Sequence, residues 1–580
     1  MSKKFNLITN FKSLWLIMSE KERKKSIIFL FFTFVQVFLE TISIGSLYPL
    51  LLSIFNSQKN IFSNDLLSSD IFRQIMSIEN QILFFSFLIL FVFIIKNIFL
   101  IFLVHWTQTF ERQVKVRLKK HLLKSYLNND YSFHVNSDTA KLVRNINTST
   151  GTMMQSIRSS MMFINDFSLT IVLLLFMVTI NPVLVFYSAI TISILTFIYF
   201  IFFKRILIKY GKFSFEHEGE SLKRLMQSFL LIKEIKLFQK ENYFINFFHS
   251  EEKLFQEFQR KAFIIRSYPR VFFELIFVFG ILAFINIKIF NSTETISEIL
   301  PKTALLAVIL IRMIPSLNRI TSSAQKINQY QKSNDEIVEE LKVNIIENQK
   351  SETDYVEKNN YKFENISLRN INFKYPKKEN FLFKNLNLEI KKGSYLGIVG
   401  PSGCGKSTLI DIITGLTKIN SGTIKINNEK ADLESKKWKN LFGYVPQIVN
   451  LFNDTIYTNV TFETEKEKID VKKIDDVICK AGLKNFINEL DDGIFTKVGE
   501  FGYKISGGEK QRISIARALY KDPQILIFDE SFNSLDRFTK QNILKEIKSL
   551  SKFKTIIIIS HILEDLKDCD KIIDLLKDIS

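Results

Sequence analysis

Cysteine is nearly absent from this 580-residue chain. The three present, Cys404, Cys479 and Cys569, are odd in number and lack metal-ligand spacing. That excludes a disulfide framework and a cysteine-built zinc site, and fits reduced thiols in a cytosolic half. Acidic residues also run short, 59 against 78 basic, for a net charge of +19. Such an excess often marks nucleic-acid binding. Here much of it falls in loops between apolar segments, and the heavy use of Lys, Asn, Ile and Phe, with 57 Phe, resembles an AT-rich coding bias. No nucleic-acid partner is expected. No cleavable leader is expected either. The basic stretch around Lys21 and Lys25 runs into an apolar span too long for a signal core, with no small-residue cleavage site behind it.

What the first half has in quantity is uncharged apolar sequence. A helix needs about 20 apolar residues to cross a ~30 Å hydrocarbon core. Six stretches qualify, 27–55, 82–104, 161–180, 184–203, 271–290 and 303–324, with Asn181-Pro182 separating the third from the fourth. Basic residues crowd the segment before the first span and the loop 105–160, which places both chain ends on the cytoplasmic side. Loops as long as 105–160 and 204–270 need a reason. The membrane helices are expected to continue into the cytoplasm and turn there, near 129–146 and 218–236; solvated surface helices are the rival account.

Glu40, Lys96, Glu274, Arg312 and Arg319 each fall in or near an apolar run. An ionised group at the bilayer centre costs roughly 2.5–3.5 kcal/mol even on the lenient insertion scale. Arg312 and Arg319 lie two helical turns apart, on one face of the sixth span, with Pro315 between them freeing a carbonyl and kinking the helix. One reading is a cationic wall for an anionic head group, with Lys96, Arg312 and Arg319 as substrate contacts. The other is structural pairing, such as Arg312 with Glu40 or Glu274. Both stay open at this point.

The second half alternates short apolar strands with helices, after a charged connection (326–361) that lacks Pro and Gly. Gly400-Pro401-Ser402-Gly403-Cys404-Gly405-Lys406-Ser407-Thr408 comes after one such strand and opens a helix, the setting of a phosphate-binding loop. Its amides and helix N-terminus favour phosphate, Lys406 reaches the outer phosphates, and Ser407 offers an oxygen to Mg²⁺. Asp529 closes the apolar run Ile525-Leu526-Ile527-Phe528 as a second Mg²⁺ candidate. Glu530 comes next, where a carboxylate can deprotonate water.

The loop, the later run Ile505-Ser506-Gly507-Gly508-Glu509 and the strand ending in Asp529-Glu530, in this order, resemble the ATPase domain of an ATP-binding cassette (ABC) transporter. The six spans resemble the membrane domain of ABC exporters. The resemblance implies an all-α exporter domain (1–325), a linker (326–361) and an α/β P-loop ATPase domain (362–580). It implies ATP with Mg²⁺ as the cofactor set, Gln447 and His561 as catalytic partners of Glu530, Gln447 also near the metal, and Tyr375 against adenine. It further implies that Asp536 and Ser506-Gly507-Gly508 complete the site of a second chain. One loop and one signature per chain then call for a homodimer. Glu509 for the usual Gln, Ser531-Phe532-Asn533 in the D-loop and Ile562 after the histidine depart from the pattern without removing a catalytic group.

The expected function is ATP-driven export across the cytoplasmic membrane of a bacterium. The segments around Glu40-Thr41-Ile42 and Asn318-Arg319-Ile320 resemble flippases of lipid-linked oligosaccharides, which implies a polyprenyl-diphosphate cargo. The alternative is a lipid A or multidrug exporter. A non-pumping ABC regulator or channel is a remote third. A peptide exporter with its own protease domain is disfavoured, because the first span starts near residue 27.

Overall fold

The computed structural model describes residues 15, 17–55, 78–179, 182–291, 296–348, 363–375, 378–463, 470–532 and 537–576. They form two compact units, one of residues 1–129 and 136–353, the other of 130–135 and 354–580.

The first unit is helical. Among the described residues, four helices are long and apolar enough to cross a membrane: Glu20–Leu51, Ile82–Asn128, Thr139–Val178 and Leu300–Gln329. The expected spans 184–203 and 271–290 are helical throughout, inside Pro182–Leu230 and Glu241–Asn291. The helix Ile78–Asn128 has 51 residues. At ~1.5 Å per residue it is about 75 Å long, more than twice a hydrocarbon core. That helix is therefore far longer than a hydrocarbon core is thick. The first span begins at a capping box in which Ser19 Oγ accepts from Glu22 N and Glu22 Oε2 accepts from Ser19 N at 2.9 Å. Arg117 clamps the same Glu22 with two bonds of 2.7 Å, tying the first helix to the second.

Apolar side chains fall on two kinds of face. Val37, Leu169, Leu173, Met177, Phe277, Leu305 and Met313 pack into one core across four helices. Phe34, Phe87, Ile101, Phe197 and Phe279 point outward and exposed, which suits a hydrocarbon solvent and not water. The helix Ile296–Gln329 continues through Pro301 and Pro315. At its end a Cβ on Gly211 would stand 2.0 Å from the Gln329 carbonyl oxygen, so only glycine allows that approach.

Composition alone reads 326–361 as a connection, yet its described part, up to Asn348, belongs to the first unit. The helix Gln331–Asn348 buries Ile337, Val338 and Leu341 as one apolar stripe. Its acids are held from residues 126–144: Lys141 lies 3.0 Å from Glu336 and 3.7 Å from Glu340, Arg144 lies 3.4 Å from Glu336, and the Tyr126 hydroxyl donates to Glu340. The same stretch then passes into a π-helical turn, Asn145–Ser149.

The second unit holds two sheets. The strands β1 (Asn365–Phe373), β2 (Phe383–Lys391), β4 (Ser421–Ile426) and β5 (Glu429–Lys430) form an antiparallel sheet in the order β2-β1-β4-β5. The strands β3 (Tyr395–Val399), β6 (Phe442–Val445), β7 (Ile525–Asp529), β8 (Thr555–Ile559) and β9 (Lys571–Asp574) form a parallel one, ordered β6-β7-β8-β3-β9. β7 and β8 are buried along their whole length, as central parallel strands covered on both faces are. The short helix Tyr131–Asn136 lies in the first expected turn region, and its Asp130–Val135 portion packs with this unit, Asp130 Oδ2 standing 2.9 Å from Lys418 Nζ.

In the first unit, burial raises the Glu218 carboxyl to about 7, with Arg144 opposing and Glu252 adding to the shift. A carboxyl whose folded value lies above its unfolded value lends stability that is present at low pH and lost as pH rises through about 7. Glu218→Gln is therefore expected to raise the melting temperature of the full protein at pH 8 and to gain less at pH 5. Equal shifts at both pH values would refute the assignment.

Candidate nucleotide and metal site

The loops after the carboxyl ends of β3, β6, β7 and β8 converge on one edge of the parallel sheet, where open α/β folds bind ligands. β3 leads into the loop Gly400–Gly405 and the helix Lys406–Ile413. Gly403 and Gly405 have φ of +84° and +101°, and a Cβ on Gly405 would press to 2.9 Å from the Phe383 ring. Those two glycines let the loop turn back over its own helix. Lys406 is buried. Its Nζ donates to the carbonyls of Gly400 (2.9 Å) and Pro401 (3.1 Å) and lies 3.1 Å from Glu530 Oε1. Cys404 packs its sulfur against Gly400, 2.7 Å from where a Cβ would be. Ser402 is exposed on the loop and Thr408 is buried.

β7 delivers Asp529 and Glu530 together. Glu530 has φ of +46°, a conformation unusual for a residue with a Cβ, held by its N–H donating to Ile559 O at 3.1 Å. Gln447, just after β6, donates to Glu530 Oε2 at 3.1 Å. His561, just after β8, places Nδ1 4.0 Å from the same oxygen. The turn that presents it is fixed by Ser560, whose hydroxyl donates to Asp565 (2.8 Å) and accepts from Ile562 N (3.0 Å). Lys406, Gln447 and His561 thus meet at the Glu530 carboxylate.

Asp529 is buried, which raises its carboxyl above the ordinary range. Hydrogen bonds from Tyr444 and Ser407 oppose that shift. The neighbouring Asp411 is raised to about 6 by burial and by Asp529 itself. A hydroxyl and a carboxylate side by side, with a second acid close by, are hard oxygen donors suited to Mg²⁺. Asp411 and Tyr444 escaped the sequence reading. Tyr444 stands within the Tyr-Val-Pro-Gln run, but only strand pairing shows what its hydroxyl reaches.

Tyr375 bonds Thr408 Oγ1 through its hydroxyl at 2.7 Å and is partly exposed, while Phe373 faces the core. Ser506, Gly507 and Gly508 open the helix Gly507–Tyr520. Glu509 completes a capping box there, its Oε2 accepting from Ser506 N at 2.8 Å. Asp536, with Ser534 and Leu535, lies outside the described residues.

In the membrane unit every cation proposed for substrate already holds an acid. Arg312 Nε pairs with Glu40, Lys96 Nζ lies 3.6 Å from Glu40, and Arg319 grips Asp166 with bonds of 2.7, 2.9 and 3.1 Å. Glu40 and Asp166 are each 1% exposed. Arg312 and Lys96 are brought together by Glu40, whereas Arg319 is held by Asp166. Glu274 is exposed on the helix Glu241–Asn291. Asp166 lies inside the 161–180 run, and the sequence reading overlooked it.

Two families match the chain. The one described as ABC transporter transmembrane region covers residues 26–312, and the one described as ABC transporter covers 383–533. A Rickettsia felis protein that carries an export ATP-binding/permease name is 39% identical over 221 residues, 38% of each chain. An ATP-dependent lipid A-core flippase of Pectobacterium atrosepticum is 37% identical over 209 residues, 36% of each. The chain thus matches these relatives over less than two fifths of their length. A solved structure of a bacterial Atm1-family ABC exporter with ATP bound has a TM-score of 0.71 at 20% identity, covering 96% of this chain and 93% of that one. The likeness establishes the fold: a helical transmembrane exporter domain followed by an α/β nucleotide-binding domain.

Glu530→Gln is expected to cut ATP hydrolysis roughly 100-fold or more and to leave ATP bound, read as nucleotide retained on the purified protein. Rapid turnover in that variant would remove Glu530 from its role. Since glutamine also closes a capping box, Glu509→Gln should keep ATPase activity within about twofold, and a near-complete loss would show that the acid itself is needed.

Proposed function

The chain belongs to the ABC transporters, whose two characteristic regions take up well over half of it, and from that premise we propose that it is an ATP-driven exporter that works as a pair of identical chains. The observation that carries the reading is the meeting of Lys406, Gln447, Glu530 and His561 on one sheet edge, in a chain whose other unit has helices of membrane length. The loop amides and Lys406 bind the phosphates of ATP. Ser407 and Asp529 would hold Mg²⁺, which when bound would screen the phosphate oxygens. Glu530 takes the proton of the attacking water, oriented by Gln447 and His561. Ser506, Gly507 and Gly508 present a helix N-terminus, with its partial positive charge, to the nucleotide of the second copy. One P-loop and one such terminus per chain require two chains for two complete sites. ATP binding closes the two ATPase domains, and hydrolysis resets them. The ATPase domains face the cytoplasm of a bacterial cell.

For cargo we propose an amphipathic anionic lipid moved from the inner to the outer leaflet. Two relatives named as lipid A-core flippases, 37% and 35% identical, favour a phosphorylated glycolipid of that kind. A polyprenyl-diphosphate oligosaccharide is the second reading. Its support is one charge: among the described residues Lys96 and Arg312 share one acid, Glu40, which leaves a positive excess there. Arg319, neutralised by Asp166, adds nothing to it.

Proteoliposomes supplied with each lipid separate the readings. ATP-dependent flipping of lipid A alone upholds the first, and flipping of the diphosphate oligosaccharide alone upholds the second. Transport of neither, with ATPase activity intact, defeats both. Arg312→Ala leaves Glu40 with only the more distant Lys96, so a loss of several kcal/mol of stability is expected, on the order of 3 kcal/mol. It should appear as a lower melting temperature whichever lipid is present.

A further inference from the structure

Tyr444 has a hydroxyl that the nucleotide chemistry above does not use. In the parallel register Tyr444 stands opposite Ile527 on β7. Ile527 and Asp529 are two residues apart on that strand and so share a face. The Tyr444 ring therefore runs along the sheet toward its carboxyl edge, and its hydroxyl donates to Asp529 Oδ2 at 3.0 Å. Nothing else on the strand could do this. Gly443 has no side chain, and Val445 is buried on the opposite face.

A carboxylate turns about a broad terminal torsion, so a strand that fixes its backbone does not by itself fix the two oxygens. Ser407 also bonds this carboxyl, and a second donor on Oδ2 restricts the rotation further and sets the direction of the remaining acceptor positions. A phenylalanine would fill the same space without the donor. Asp411 and Tyr131 also lie close to this hydroxyl. Tyr131 belongs to the Asp130–Val135 segment that packs with the ATPase unit, so the hydroxyl lies near both the metal ligand and the docked loop.

We propose that Tyr444 is a positioning residue for the metal, which orients the Asp529 carboxylate through its hydroxyl. The proposal rests on the ATPase reading of the site. Partners that orient a metal ligand are typically worth 10–100-fold in metal affinity.

The test uses the full-length protein carrying Glu530→Gln, so that nucleotide is not consumed, with and without Tyr444→Phe. Mn²⁺ binding in the presence of ATP is tracked by electron paramagnetic resonance. Binding of a fluorescent ATP analogue is measured separately in EDTA, and this also verifies that the variant is folded. The expected result is Mn²⁺ affinity about tenfold weaker in Tyr444→Phe, with metal-free nucleotide binding unchanged. Mn²⁺ affinity within twofold of the parent would overturn the proposal. So would a parallel fall in both affinities, which would make Tyr444 part of the nucleotide pocket and not a support for Asp529. A parent protein that binds no nucleotide even in EDTA would defeat the ATPase reading itself, and the proposal with it.

Discussion

Burial of β7 on both faces is the constraint on which the site depends. A strand of Ile525, Leu526, Ile527 and Phe528 has no water-facing side, so its place between β6 and β8 is fixed by packing. Its last residues then have to stand at the sheet edge, and these are the two acids. Because β6 and β8 flank it in parallel, the loops at their carboxyl ends deliver Gln447 and His561 to the same point. Lys406 arrives from β3, one strand further along. Four loops with no sequence proximity thus share one carboxylate, Glu530, in a left-handed conformation that its backbone bond to Ile559 maintains.

The membrane unit is organised by a different rule. Charge in a hydrocarbon setting has to be compensated nearby, and here compensation is one carboxylate per cluster: Glu40 for Arg312 and Lys96, Asp166 for Arg319. Breaking a buried pair is more costly than never having had it. These cations therefore contribute to holding helices together whatever passes between them. A cationic wall is a weaker account than Arg312 and Arg319 alone suggest, since one of the two is fully neutralised. The same logic extends past the membrane, where Glu336 and Glu340 bind the helix Gln331–Asn348 to Lys141, Arg144 and Tyr126. A segment that looks like a charged linker is thereby made part of the first unit.

Much of the site was legible because its chemistry is local. A phosphate loop needs glycines at set places before a helix, so Gly403, Gly405 and Lys406 announce it without any tertiary knowledge. The capping box of Ser506 and Glu509 is just as local, three residues apart, though only the structure drew attention to it. Apolar runs of membrane length declare themselves in the same way, as does an acidic pair ending a buried strand.

What tertiary structure alone decided is who pairs with whom. Arg319 and Asp166 are 153 residues apart in the chain. Tyr444 meets Asp529 only because β6 and β7 are neighbours in one register. Glycine at 211 is required only because another helix's carbonyl passes there. Such contacts depend on which elements lie side by side, and that is set by the summed burial of many apolar residues. Sequence neighbours determined the motor's parts and the chemistry each can do. The long-range packing determined which charges were already spoken for, and so which remained for a cargo.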